Sequence, residues 1–219
     1  MPSAASTVVF AVVAVVLALL ALGYRRSQQR LAALRAWARA HDWQYSAAEP
    51  GLNQVLRGGP FGRGHDRRFT EVVRGRYEGR LGSSWRYSYT VGSGKYSRTY
   101  HEHVVALVLS VPLPYLELTN EGFVKGRDLQ LESAEFNDVW NVEGEDPKTT
   151  SDVLHPRMME RLLQPDARAG NLLVEDGLIL WWRSGVPDAA TIDRTLRLLD
   201  ELIALVPGFV WDDVRRGGV

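Results

Sequence analysis

The first twenty-four residues carry no charged side chain, and Val8 to Leu22 is an unbroken run of Val, Phe, Ala and Leu. At about 1.5 Å per residue, roughly 20 helical residues cover the ~30 Å hydrocarbon layer of a bilayer. β-Branched residues are weak helix formers in water. In lipid they are no obstacle, because every backbone N–H and C=O must pair within the segment. Residues 4–24 therefore read as one membrane-spanning helix. A cleaved signal peptide is the rival, since Ala21-Leu22-Gly23 offers small residues at cleavage-like spacing. Against it, no Lys or Arg precedes the apolar run, whereas Arg25, Arg26 and Arg30 follow at once. Extended by Arg35 and Arg39, the same cluster places the C-terminal side in the cytoplasm and the N-terminus outside, by the positive-inside bias.

The rest of the 219-residue chain has room for one soluble domain, 48–219, after a basic juxtamembrane helix, 25–47. Acidic and basic residues cancel at 26 each, which indicates neither a nucleic-acid-binding nor an acidic disordered composition. The cancellation hides a polarity. Between Tyr24 and Tyr87 there are 13 Arg against 5 Asp or Glu, so the membrane-proximal part is strongly basic and the remainder acidic. Cysteine is absent, which excludes disulfides and thiolate metal sites and fits a reducing compartment.

Periodicity supplies the elements. Leu31, Leu34 and Trp37 recur at helical spacing between Arg30, Arg35 and Arg39, extending the first helix as an amphipathic stem to about His41. A short helical stretch is expected near Leu52 to Leu56, between Glu49-Pro50-Gly51 and Gly58-Gly59-Pro60. Residues 68–119 read as an antiparallel meander. Trp85, Tyr87, Tyr89 and Val91 alternate with polar residues, and the apolar run His103 to Leu109 suggests a central strand covered on both faces. Tyr115 to Thr119 is expected to close the meander. Residues 129–137 read as a strand end entering one helical turn, and Val139 to Val142 as a short strand. Thr149 and Asp152 suggest a capping box, and Pro156 a helix restart or kink. Asp176-Gly177 is the strongest hairpin signal, between Asn171 to Glu175 and Leu178 to Arg183. Ile192, Leu196, Leu199, Ile203 and Val206 form the stripe of a C-terminal helix. Strands grouped together, then helices and a hairpin, indicate an α+β domain with a meander sheet and two packed helices behind the transmembrane helix.

PFGRG (60–64), the YSY strand (87–89), DLQLESAEFN (128–137) and DVLHPRMMERLL (152–163) together resemble a widespread family of bacterial, mainly actinobacterial, single-span membrane proteins carrying a domain of unknown function. The resemblance covers most of the chain from about residue 40. It implies a membrane-anchored bacterial protein and supplies no catalytic residues.

Candidate sites follow from residue chemistry. His101 and His103 project to one strand face and form a two-residue start for a metal site, which needs a third ligand such as His65, Asp66 or Glu71. An exposed strand face is the competing reading. Asp152, His155 and Glu160 share a helical neighbourhood with Ser151, but the helical spacing turns Ser151 away and no nucleophile elbow is present. Met158, Met159, Leu162 and Leu163 read as core. Gly58-Gly59-Pro60-Phe61-Gly62-Arg63-Gly64 lacks the Gly-Lys-Ser/Thr ending of a phosphate loop and reads as a flexible linker. Arg74 and Arg76 share a strand face and, with Arg25, Arg26, Arg30, Arg35 and Arg39, form the expected surface for anionic lipid or a membrane-protein partner. No cofactor is implied, and buried aromatics argue against nucleic acid. The first expectation is a non-enzymatic, membrane-tethered cytoplasmic interaction module. The alternatives are a metal-dependent or other hydrolase, and a structural subunit of a membrane assembly docking through the C-terminal helix or the Leu178–Arg183 edge, where Trp181 and Trp182 face opposite sides; the favoured reading of that pair is that the C-terminal helix covers the second face.

Overall fold

The computed structural model describes residues 4–49, 56–120 and 131–217, with side chains from Val13 onward. The expected helix near 52–56 and the segment 121–130 fall outside that set, apart from Leu56, which lies in irregular chain. α1 (Ala4–Ala40) is a single 37-residue helix that runs from the apolar segment into the domain. From Val13 onward, where side chains are described, no helix is long and apolar enough to cross a membrane. The stem ends at Ala40, and β1 (Gln44–Ala48) already belongs to the sheet, so the last part of the 25–47 segment is strand.

β2 (His65–Tyr77), β3 (Arg80–Val91) and β4 (Arg98–Val108) form the expected meander. β5 (Leu116–Asn120), however, does not continue it. The sheet order is β1-β2-β3-β4-β8-β7-β5-β6, with β6 at Trp140–Gly144, β7 at Asn171–Glu175 and β8 at Leu178–Ser184, all antiparallel. The C-terminal hairpin inserts between β4 and β5. Its residues explain why: Leu172, Leu173, Leu180, Trp181 and Trp182 are all at most 5% exposed and need cover on both faces, which an edge position denies them. The prolines at 112 and 114 also prevent a tight β4–β5 hairpin. Asp176 and Gly177, at φ 50° and 74°, make the hairpin turn with both central residues left-handed.

One face of the sheet carries the helices. α2 (Ala134–Val139) is capped by Ser133 ahead of β6. α3 (Pro147–Val153) is capped not by Thr149 but by Asp146, whose carboxylate accepts the Thr149 N–H at 2.8 Å. Pro147 takes the first helical position, where no N–H is needed, and this sets the boundary three residues earlier than the capping-box reading. α4 (Pro156–Leu162) restarts after His155, followed by α5 (Pro165–Arg168), α6 (Ala189–Leu205) and α7 (Gly208–Arg215). Ile192, Leu196, Leu199 and Ile203 are buried as the stripe requires. Met158, Met159 and Leu162 lie in the same core, with Leu163 packed against it.

α1 joins this layer through Leu34, Trp37 and Ala38. The Trp37 indole donates to Asp193 of α6 at 2.9 Å. Trp43, just past the stem, lies flat over Gly75 of β2, where an added Cβ would come within 2.2 Å of the indole. Gly75→Ala therefore overpacks the junction between stem and sheet. We expect a loss of about 1–3 kcal/mol, read as a thermal midpoint lowered by about 2–4 °C per kcal/mol in near-UV circular dichroism of the full chain. Gly208→Ala, which meets nothing within 4 Å, is the control and leaves the midpoint in place.

Candidate functional site

The seven arginines read as one basic surface occupy different situations. Arg25, Arg26 and Arg39 are exposed along α1. Arg35 lies over the Tyr45 ring at 4.8 Å. Arg30 is committed: it makes two hydrogen bonds to Glu71, at 2.6 and 3.0 Å, and a third to the Pro187 carbonyl at 2.9 Å. Glu71 sits in a β-bulge at φ 54° and also takes Arg86 at 3.4 Å. Arg74 and Arg76 do share a face, opposite Val73 and Tyr77, which pack with the helices. Arg74 pairs with Glu49 and Arg76 donates to the Gly79 carbonyl. Both line a hollow with His41 and Gln44, at the far end of the stem. His41 lies fifteen positions beyond Arg26, about 22 Å along the axis.

The histidines likewise separate. His101 and His103 face the helical side together, but His101 is exposed whereas His103 is fully buried, with Nε2 2.9 Å from Ser84 Oγ and Nδ1 without a partner. Glu71, a possible third ligand, is held by two arginines, while His65 bonds Asp66 and the Gly92 carbonyl. Among the described residues no group of three metal-ligating side chains gathers. His155 caps α4, accepting the Met158 N–H on Nδ1, so Nε2–H donates to the Leu205 carbonyl at 3.0 Å. Asp152 pairs with Lys148. The Ser151, Asp152, His155 and Glu160 neighbourhood thus has its histidine saturated by backbone.

The glycine segment differs most from its sequence reading. It is an ordered cover over the sheet face opposite the helices, where Phe61 packs with Phe69, Trp85, Tyr87, Tyr89 and Trp182. Glu175 accepts the N–H groups of Arg57 and Gly58 at 2.9 and 3.0 Å, and Glu117 accepts that of Gly59 at 3.1 Å together with the Tyr115 hydroxyl. Successive amides converge on an anion, as in a phosphate loop, but the anions are the protein's own carboxylates. Gly59, at φ 59°, has its Cα against Trp182, where a Cβ would lie 2.8 Å from Cζ2. Trp181 is covered by the helical layer and Trp182 by this loop, so neither indole is exposed. β8 is also interior, which removes the expected docking edge at Leu178–Arg183.

Beside the loop lies a polar pocket of about 60 Å³, whose walls include Tyr89, Glu102, Glu117, Thr119, Trp182 and Ser184. Glu102 is 6% exposed, and burial pushes its carboxyl above the ordinary range, against a hydrogen bond from Ser184 Oγ at 3.4 Å and the nearby Arg63 charge. Sequence reading passed over these carboxylates. Their signal was present: Glu175 shares a face with Leu173, and Glu102 with Val104, so each stands where a covered strand would otherwise place an apolar residue.

With this geometry in view, the sequence matches no family model and no curated protein. A solved structure does match. The fold resembles that of the mycobacterial trehalose monomycolate transport factor A, TtfA, with a TM-score of 0.62 at 18% sequence identity. The match covers 81% of this chain and 96% of that one, so the shared architecture includes nearly the whole TtfA chain in the crystal structure. The likeness concerns the fold.

His103 makes a testable contribution to pH-dependent stability. Burial lowers its pKa to about 3, with Asp188 acting in the opposite sense and Arg183 and Arg30 reinforcing burial. As pH falls below about 6.5, the unfolded chain takes up a proton that the folded chain refuses until about pH 3, so stability is level above 6.5 and falls below it. Between pH 7.5 and 5 the wild type should lose about 2 kcal/mol more than His103→Gln in urea unfolding of the full chain. Equal losses in both proteins would refute a neutral buried imidazole.

Proposed function

We propose that this chain is a membrane-tethered, non-enzymatic accessory module in actinobacterial envelope-lipid transport. Residues 4–24 cross the bilayer, the N-terminus lies outside, and the sheet domain lies in the cytoplasm. The observation that carries this reading is the continuity of α1, which runs as one helix from the apolar segment into the core. Over Val13 to Leu22 its large apolar side chains are 49–65% exposed with no protein cover, whereas four residues beyond Arg26 the same helix is bound to Glu71 and the start of α6. An apolar helical surface of this kind calls for lipid.

The arginine positions refine the lipid contact. A Debye length of about 8–10 Å limits useful attraction to the turns nearest the bilayer, so Arg25 and Arg26 hold anionic headgroups. Arg74 and Arg76, about 22 Å farther along the stem, are better placed for a protein partner. The transport role is carried over as a class from the named role of the mycobacterial protein whose fold this chain shares. The hydrolase alternative has no comparable support, because His155 and Glu71 are committed to structural bonds.

Topology is tested by fusing a reporter active only in the cytoplasm to Val219 of the full chain. Wild type should be active, and replacing Arg25, Arg26 and Arg39 by Gln should shift a measurable fraction outward. Activity of the complementary periplasmic reporter in wild type would overturn the orientation. The transport role predicts slower export of pulse-labelled envelope lipid in cells lacking the chain, restored by the full chain but not by residues 25–219. Unchanged export would remove that role.

A further inference from the structure

The polar pocket beside the glycine loop is built for a ligand of particular chemistry. Its volume of about 60 Å³ admits roughly four to six waters at about 10–15 Å³ each, the space of one small polar ring. One wall is the Trp182 ring, held in place by the close approach of Gly59. Another is Tyr89, stacked between Tyr87 and Tyr100 at 5.6 and 5.3 Å. These are rigid apolar faces suited to the C–H side of a ring.

The polar groups on the walls are mixed: Glu102 and Glu117 accept, Arg63 donates, and Asn171, Thr119 and Ser184 can do both. Glu102 is nine-tenths buried, yet the hydrogen bond it receives from Ser184 is long, at 3.4 Å. A carboxylate offers about four acceptor positions, and the Ser184 bond takes one of those on Glu102. Glu117 presents a second carboxylate, whose Oε2 already accepts from the Gly59 N–H and the Tyr115 hydroxyl and whose Oε1 is left for a ligand, and Thr119 and Ser184 add hydroxyls. Two carboxylates disfavour an anion. The Arg63 charge, which acts on both Glu102 and Tyr89, weighs against a cation. Neutral hydroxyls, which both donate and accept, answer all of these conditions at once.

We propose that this pocket binds a neutral, hydroxyl-rich ring, the chemistry shared by a free monosaccharide and a glycolipid headgroup, with Glu102 and Glu117 accepting its hydroxyl protons and Trp182 covering its C–H face. This goes beyond the tethering role and does not rest on it, because the pocket needs neither the anchor nor a partner.

The test uses the full chain in nanodiscs of phosphatidylethanolamine and phosphatidylglycerol, with saturation-transfer NMR to D-glucose at up to about 50 mM, enough to saturate a site of millimolar affinity. Choline serves as the cation control. Saturable transfer to glucose, weakened at least tenfold by Glu102→Gln and several-fold by Thr119→Val, with none to choline, is the expected result. Both substitutions keep side-chain size, and thermal midpoints matching wild type show that the fold is kept; if one variant fails to fold, the other decides. Competition by a glucosyl diacylglycerol in the nanodisc supports the proposal with the headgroup as source, and bound glucose without competition supports it with the free sugar. No saturable glucose signal, binding unchanged in both folded variants, or binding of choline in place of glucose would overturn it. Any of these leaves the topology and export measurements standing on their own.

Discussion

Strand β8 must bury one tryptophan on each face of the sheet, and the arrangement of the domain follows from meeting that demand twice. Trp181 turns to the helical layer, and Gly170 lies so close beneath it that an added Cβ would come within 2.3 Å of the indole. Trp182 turns the other way, under Gly59 and the loop that carries Phe61. A strand with this requirement cannot sit at an edge, so the hairpin takes the centre beside β4, whose Val104, Val105, Ala106 and Leu107 are also covered on both sides. β5 is displaced outward, and β4 and β8 form the apolar spine of the eight-stranded sheet.

Charge fixes what packing leaves free. Arg30, Glu71 and Arg86 form a partly buried cluster at a bulge where a non-glycine residue holds a left-handed conformation, which costs about 1–3 kcal/mol and persists because two guanidinium groups hold the carboxylate. Arg30 also binds the carbonyl that precedes the start of α6, so one side chain of the stem ties together stem, sheet and C-terminal helix. Removing one partner from a buried pair of this type costs about 3–5 kcal/mol, since the other charge is left without compensation. On the opposite face, Glu175 and Glu117 do the corresponding work by receiving the amides of the glycine loop. These bonds turn a segment of high intrinsic freedom into a fixed wall.

A continuous stem has a mechanical consequence for a tethered domain. A flexible linker would let the domain sample many orientations, whereas a helix that enters the core through Leu34, Trp37 and Ala38 fixes the sheet relative to the helix axis. The pocket beside the glycine loop and the Arg74–Arg76 surface then keep a defined height and direction from the end of the stem.

Sequence by itself determined the local elements whose signals are local. The stem to about residue 41, the meander through β4, the Asp176-Gly177 turn, the restart at Pro156 and the stripe of α6 are set by side-chain periodicity and backbone preference, which act within a few residues. Tertiary structure alone decided which strands became neighbours, which arginines were free and what the glycine loop does. Arg30 and Arg26 look alike in sequence, but only Arg30 meets a carboxylate 41 positions away. Glu102 and Glu175 read as polar residues in apolar strands until the loop arrives to cover that face. The physical reason is common to all of these. Burial and hydrogen bonding of a polar side chain depend on partners brought together by the fold, and spacing along the chain carries no record of them.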